Sequence, residues 1–163
     1  MLETVRKSVA LAPGEGDAVW FIDNLATIKV SGEQTDGRAA LVELEGPEGH
    51  MPPLHVHLDD DEIFYVLDGE FTFYVGDQAF RAVAGTTVLA PSGIPHTFRI
   101  ESATGRWLVI GTPGGFDEFV TAVGTPATTA VIPDPPLAFD PAKAAGVQYR
   151  VEILGPPGTL PSA

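Results

Sequence analysis

Short apolar runs separated by turn signals recur along most of the chain. Runs of five to seven residues that are rich in Val, Ile, Phe and Tyr and bounded by Gly, Pro or Asp are typical of β-strands. Heptads, tandem repeats and long amphipathic helix patterns are absent from the sequence. The pattern therefore predicts an all-β fold whose strands are LATIKV (25–30), AALVELE (39–45), PPLHVHL (52–58), EIFYVL (62–67), FTFYV (71–75), QAFRAV (78–83), TTVLA (86–90), HTFRI (96–100) and RWLVIG (106–111).

Two of the connections are short enough to predict as tight hairpin turns. They are the Asp-Gly pair at 68–69 and the Gly-Asp pair at 76–77. A two-residue turn at 68–69 would place Phe64 opposite Phe73, on the strand face that also carries Glu62.

The pattern changes after the strands. FDEFVTAVG (116–124) has acidic residues in its first turn and ends in Gly, which predicts a short helix. A second short helix is expected near 141–145, with Asp140 as its N-cap. VQYRVEIL (147–154) is predicted to return as a last strand, and residues 155–163 as a loose tail.

Four histidines occur in the chain, and two of them form a His-x-His pair. On a helix His55 and His57 would face apart, whereas on a strand they face the same way with Cα atoms roughly 7 Å apart. Glu62 converges with this pair if the two strands are neighbours in an antiparallel sheet, and His96 can complete the set from a third strand. Three imidazoles and one carboxylate suit one divalent transition metal ion (Fe, Mn, Co, Ni, Cu or Zn), and they offer too few oxygens for Ca²⁺ or Mg²⁺.

Charge and composition narrow the classes of partner. The net charge is −13, and ten carboxylates but no Lys or Arg lie between Ala39 and Phe80. Such a negative segment disfavours nucleic acid, anionic membranes and phosphorylated substrates. The chain has no cysteine, so any metal must use N and O ligands. No apolar stretch is long enough to span a membrane and the N-terminus is too weak for a signal peptide, so a cytoplasmic protein is expected.

Two spaced motifs resemble those of the cupin superfamily. The first is Gly49-x5-His55-x-His57-x4-Glu62-x6-Gly69, and after fifteen residues the second is Gly85-x5-Pro91-x-Gly93-x2-His96. The family often has Asn four residues after the last histidine, where this chain has Ile100. The resemblance implies a double-stranded β-helix, a small jelly-roll barrel with short C-terminal helices and a metal in its mouth, held by the two histidines of the pair, the glutamate and the last histidine.

Further segments resemble small single-domain, quercetinase-like (flavonol dioxygenase-like) monocupins. They are SGEQTDG (31–37), EGPEG (45–49) and GTPGGFDEFVTAVGTPA (111–127), and the likeness runs from about Ile28 to Leu154. It implies that residues 1–163 are one cupin domain, with the barrel core at about 25–112, a helical lid and C-terminal segment at about 113–154 and the tail at 155–163. It also implies that the helix bearing Phe116 and Phe119 lies across the pocket mouth.

Strand alternation extends the predicted pocket. Met51 and Pro53 share the face of the His-x-His pair, and Phe98 shares that of His96, so these three join Phe116 and Phe119 as candidate substrate contacts. Without a cationic anchor, such a pocket suits a small apolar or phenolic substrate. Glu62 is the candidate catalytic residue: it either takes a proton from the substrate's hydroxyl as general base or acts only as a fourth ligand.

Three functional hypotheses stay open at this stage. The first is a metal-dependent dioxygenase that opens a flavonol or similar enolisable aromatic with O₂, as quercetinase-like enzymes do. The second is a redox-neutral metallo-cupin such as a polyketide cyclase, lyase or isomerase, and the third is a binding module without turnover. A homodimer is expected from the resemblance, with the outward apolar residues Leu54, Val56, Ile63 and Tyr65 as candidate contacts, unless the terminal segments cover them.

Overall fold

The computed structural model describes residues 8–144 and 149–162. Within these ranges β-strands dominate, as the sequence predicts, and two short helices follow the main strands. The strands are β1 Asp17–Phe21, β2 Asn24–Val30, β3 Ala40–Pro47, β4 Leu54–His57, β5 Asp61–Asp68, β6 Glu70–Val75, β7 Gln78–Val83, β8 Thr87–Ala90, β9 His96–Ile100, β10 Thr104–Thr112, β11 Thr125–Pro126 and β12 Val151–Gly155. The helices are α1 Phe116–Val123 and α2 Pro141–Ala144.

The strands form two antiparallel sheets that face each other across one apolar core. The larger sheet has the order β11-β1-β2-β3-β10-β5-β8, and the smaller has β12-β4-β9-β6-β7. Side chains alternate between the core and the outside, as in β5, where every second residue is buried. Aromatic rings from both sheets meet in the middle, with Phe98 5.1 Å from Trp107 and 5.9 Å from Phe64 between ring centroids. This is the jelly-roll arrangement that the sequence predicts.

The prediction for residues 68–69 is wrong. Gly69 does take the left-handed φ of 88° that a tight turn requires. The strands on either side nevertheless belong to different sheets, since β5 pairs with β10 and β8, whereas β6 pairs with β7 and β9. Phe64 and Phe73 are therefore not ladder partners; their rings meet across the core at 5.0 Å. The turn at 76–77 is confirmed as a hairpin, because Val75 pairs with Gln78.

Several boundaries also differ from the predicted ones. Strand β1 at 17–21 was not predicted, and a two-residue turn with Ile22 at φ 60° leads from it into β2. Helix α1 is confirmed, and Asp140 caps α2 by accepting a hydrogen bond from the Ala142 amide. Residues 145–148, which the predictions placed in a helix end and a strand start, lie outside the described residues.

The candidate dimer face is only partly exposed. Leu54 and Val56 are buried within the chain itself, whereas Ile63 is partly exposed and Tyr65 is exposed. The homodimer stays a prediction, and β5 rather than β4 offers its apolar surface. Among the described residues, no helix has the length and hydropathy needed to cross a membrane.

Candidate metal centre

The four predicted donors come together inside the barrel. Strand β4 supplies His55 and His57, β5 supplies Glu62 and β9 supplies His96, and one ligand atom from each lies within 4.8 Å of the others. His55 pairs directly with His96 in the smaller sheet, which brings these two imidazoles side by side. Glu62 reaches them from the larger sheet, so its strand is not a ladder neighbour of β4. The donors converge across the barrel instead of along one ladder.

Each histidine turns its Nδ1 atom toward an oxygen. The Nδ1 of His55 is 2.7 Å from the Pro53 carbonyl, and that of His96 is 2.9 Å from the Ile94 carbonyl. A carbonyl oxygen only accepts, so both rings donate through Nδ1 to a carbonyl and leave Nε2 as the atom that can face a metal. The Nδ1 of His57 is 3.4 Å from Oδ2 of Asp60. Oxygen partners of this kind hold the rings of metal-binding histidines in place.

The Nε2 atoms surround the Glu62 carboxylate. Its Oε2 atom is 3.0 Å from Nε2 of His57 and 3.1 Å from Nε2 of His96. The contact with His57 is short, yet the ring N–H does not point along it, and neither ring nitrogen of His57 has a well-aligned hydrogen bond among the described residues. The contact between His96 and Glu62 is a hydrogen bond, whereas the unpartnered Nε2 of His57 suits a cation bound among these donor atoms.

Burial and mutual charge shift the pKa values of this group strongly. Burial, together with the neighbouring His96, lowers the pKa of His55 to about 3. Burial also lowers the pKa of His57, but the Glu62 carboxylate outweighs it and raises that pKa to about 10. For Glu62, burial raises the pKa, and the contacts with His57 and His96 hold it well below its usual range. Without a metal the site therefore pairs one protonated imidazole with one carboxylate, and a cation would take the place of that proton.

The residues present fit a divalent transition metal. Three neutral imidazole nitrogens and one carboxylate oxygen are a donor set typical of borderline ions, and oxygen-preferring Ca²⁺ and Mg²⁺ need more oxygens. The unaligned Nε2 of His57 is the observation that such an ion would explain. His55, His57, Glu62 and His96 could thus hold one ion, as the sequence predicts.

An apolar cavity opens from these donors. Together with the open space at its mouth, it encloses about 730 Å³. No Lys or Arg occurs among the described residues that line it, and its exposed wall is almost wholly apolar. Of the predicted contacts, Pro53, Phe98, Phe116 and Phe119 line the cavity and Met51 does not. Substrate contact by any of them stays a prediction.

Tyr149 is a cavity residue that the sequence analysis did not select. Its ring packs on that of His57 at 5.3 Å and on that of Phe119 at 5.2 Å, so it lies between helix α1 and the candidate metal donors. Its hydroxyl donates to Oδ2 of Asp60, the same oxygen that faces His57. Burial and the nearby carboxylates raise the pKa of Tyr149 well above its usual range, so it stays a donor. Tyr149 lies far from both motifs, and only its place beside the final strand could have suggested a wall position.

Comparison with known proteins agrees with this geometry. Residues 42–111 match the family model described as Cupin domain. The chain is 30% identical over 129 residues to a quercetin 2,3-dioxygenase of Bacillus subtilis (strain 168), which covers 79% of this chain and 38% of that protein. The chain therefore spans less than half the length of that relative.

The similar solved structures provide evidence for the fold only. The polyketide cyclase RemF from Streptomyces resistomycificus superposes with a TM-score of 0.56 at 20% identity, over 65% of this chain and 80% of that one. KdgF from Halomonas sp. gives a TM-score of 0.54 at 19% identity, over 59% of this chain and 84% of that one. The Cupin domain match over residues 42–111, which include both spaced motifs, shows that this part of the chain is a cupin domain, and over 129 residues the chain is similar to a quercetin 2,3-dioxygenase.

Proposed function

We propose that this cupin is a metal-dependent dioxygenase of the quercetinase type, which cleaves a flavonol or a similar enolisable aromatic with O₂. The observation that carries the proposal is the His₃Glu donor set at one end of an aromatic-walled cavity whose described lining has no cation. Such a cavity favours a neutral, flat substrate over a carboxylated or phosphorylated one. The name of the Bacillus subtilis relative points to the same substrate class.

A bound divalent transition metal would act as a Lewis acid on the substrate's oxygens and would supply the redox chemistry. The chain's own residues have three tasks. Glu62, whose low pKa keeps it ionised, accepts the proton of the substrate's enolic hydroxyl. Phe98 and Phe64 offer ring faces and edges against which a flat substrate stacks. Phe119 and Tyr149, packed together at the lid, limit the access of water to the reacting end.

The first experiment measures oxygen uptake with quercetin. The protein is loaded separately with iron, manganese, cobalt, nickel, copper and zinc, and metal-free protein serves as the blank. Uptake that depends on one or more of these metals is the expected result and identifies the working ion. Absence of uptake with every metal, while the metal stays bound, would overturn the dioxygenase proposal in favour of redox-neutral chemistry.

A variant pair then tests the role of Glu62. Glu62→Gln keeps the shape and removes the negative charge, and Glu48→Gln changes an exposed carboxylate in the same acidic segment as the matched control. Loss of turnover with full metal content in Glu62→Gln is expected for a general base. Loss of metal from this variant would instead assign Glu62 chiefly as a ligand.

A further inference from the structure

A second polar group faces the same cavity and is not part of the donor set. Asn24, at the start of β2, and His50, in the loop before β4, both line the cavity, and we call them the distal pair. Both side chains are buried, with 2% and 7% of their surface exposed. Buried polar residues in an otherwise apolar cavity need partners, and their partners show what the pair can bind.

The contacts of His50 fix its orientation. Its Nδ1 atom lies 2.7 Å from Oδ1 of Asp23, and its ring stacks on Trp107 with centroids 6.0 Å apart and planes 22° apart. Nδ1 faces this carboxylate oxygen, which only accepts but is not aligned as a hydrogen-bond partner, and Nε2 faces the Asn24 amide nitrogen, which only donates, so the ring proton lies on Nδ1. Although burial raises the pKa of Asp23, the contact with His50 outweighs it and lowers that pKa, so Asp23 is an ionised acceptor. The Nε2 atom of His50 is left with a lone pair.

This lone pair in turn orients Asn24. The amide nitrogen Nδ2 of Asn24 is 3.2 Å from Nε2 of His50, so it donates to that lone pair. The amide oxygen Oδ1 then points away from His50, and it is buried with no hydrogen-bond partner among the described residues. It lies over Gly46, where a Cβ atom would clash with it. A buried acceptor without a donor is costly, and a ligand O–H group would remove that cost.

The distal pair and the metal centre lie at opposite ends of one strand. The Ile100 amide donates to the His50 carbonyl at the last residue of β9, whereas His96 is the first residue of that strand. Four residue steps along a strand span about 13 Å. Phe98 lies between the two ends and contacts the His50 ring at 5.6 Å. A ligand that reaches both ends must therefore be elongated and flat.

We infer that the distal pair is a specificity site, in which Oδ1 of Asn24 accepts a hydrogen bond from a hydroxyl group on the part of the substrate farthest from the metal. The inference rests on the proposed function and names its substrate class more narrowly as flavonols that carry hydroxyls beyond the metal-binding head. No Lys or Arg lines the described cavity, so the site offers the ligand no cationic anchor. Asn24 binds the ligand through its oxygen, and His50 acts as a positioning residue for Asn24.

The test compares two ligands and three proteins by calorimetric titration. The ligands are quercetin and 3-hydroxyflavone, which share the 3-hydroxy-4-keto head and differ in the remaining hydroxyls. The proteins are the natural chain, Asn24→Leu, which keeps the side-chain size and removes the acceptor, and Val109→Ala, which changes an apolar lining residue as the matched control. All are loaded with zinc, which has no redox chemistry, so that binding is measured without turnover.

We expect the natural chain to bind quercetin about tenfold more tightly than 3-hydroxyflavone, since one satisfied hydrogen bond in an apolar site has roughly that effect. In Asn24→Leu the ratio should fall to about twofold or less, and in Val109→Ala it should persist while both affinities weaken. Equal binding of the two ligands by the natural chain would overturn the inference whether or not the variant folds. A preserved ratio in Asn24→Leu would overturn it as well.

The two proposals can fail separately in this design. If the ratio behaves as expected but no metal supports oxygen uptake, the dioxygenase proposal fails and the distal site stands. If uptake occurs but the ratio is absent, the distal site alone fails. If neither flavonol binds, the substrate class is wrong and both proposals fall together.

Discussion

The two ends of the cavity are built by different chemistry. At the metal centre four titratable side chains crowd within 4.8 Å, and their charges change one another's pKa values. At the distal pair one imidazole and one amide form a short chain of contacts that ends in an unpaired oxygen. The metal end is therefore suited to hold a cation and move a proton, whereas the distal end is suited to discriminate among neutral ligands.

The largest expected difference between the two ends is in metal affinity. His57→Ala removes a donor and leaves the Glu62 carboxylate without its closest partner, so we expect metal affinity to fall about a thousandfold. His50→Ala changes the histidine at the other end and should leave metal affinity within about twofold. Metal titration against a competing chelator measures both variants. Equal losses would contradict the division between the two ends.

Metal affinity is expected to change about a hundredfold between pH 6 and pH 8. The pKa of His57 is raised to about 10, so below that pH the metal must displace its proton, and affinity should rise about tenfold per pH unit from pH 6 to pH 8. The sign follows because the metal needs the deprotonated imidazole, which becomes more abundant as pH increases. Calorimetry in buffers of different ionisation enthalpy should detect the release of about one proton. Affinity that is independent of pH would show that His57 is already neutral.

A smaller effect on metal affinity is expected from Asp60, which contacts a donor but is not itself in the donor set. Asp60→Asn weakens the acceptor that faces Nδ1 of His57, and outer contacts of this kind typically alter metal affinity about tenfold. Asp61→Asn, on the neighbouring residue, whose carboxylate accepts from the Ser92 amide instead, is the matched control. An unchanged affinity in Asp60→Asn would show that the carbonyl-held rings of His55 and His96 are sufficient to order the site.

The smallest effect on metal affinity is expected from Tyr149, which packs against helix α1. Tyr149→Phe removes the hydroxyl that donates to Asp60 and should lower the free energy of unfolding by about 1 kcal/mol, with metal affinity reduced no more than about threefold. Tyr65→Phe removes a hydroxyl from an exposed side chain and should change neither quantity. Denaturant unfolding and metal titration of both variants make the comparison. A loss of metal affinity as large as that of Asp60→Asn would make Tyr149 part of the metal end.

The sequence is sufficient to select the candidate donor residues but not to predict which strands bring them together. Alternation along strands and the fixed spacing of His55, His57, Glu62 and His96 are local properties, and they select four side chains whose ligand atoms the fold brings within 4.8 Å of one another. Which strands are neighbours depends on pairing between distant segments, so the local pattern at Gly69 predicts a hairpin where the structure has a turn between two sheets.

The rest of the cavity was harder to predict for the same reason. Tyr149 and Asp60 are 89 residues apart in the chain, and no periodicity links them. His50 is evident as the fourth histidine, but its orientation depends on Asn24, which begins β2 directly after an unpredicted turn. If the strand pattern of β4 is extended backwards, Met51 lies on the same face as His55 and His57. The strand begins only at Leu54, however, so the pattern does not determine which way Met51 points.

The outer wall of the cavity has a consequence for how new selectivity could arise. All four donors fall between residues 55 and 96, whereas Tyr149, Val151 and Ile153, which line the cavity, belong to the final segment, docked on the edge of the smaller sheet. Because an edge strand makes its ladder contacts on one side only, this wall can be exchanged without rebuilding the barrel. Grafting the last segment of one such protein onto the barrel of another would change this wall and leave the four candidate donors in place.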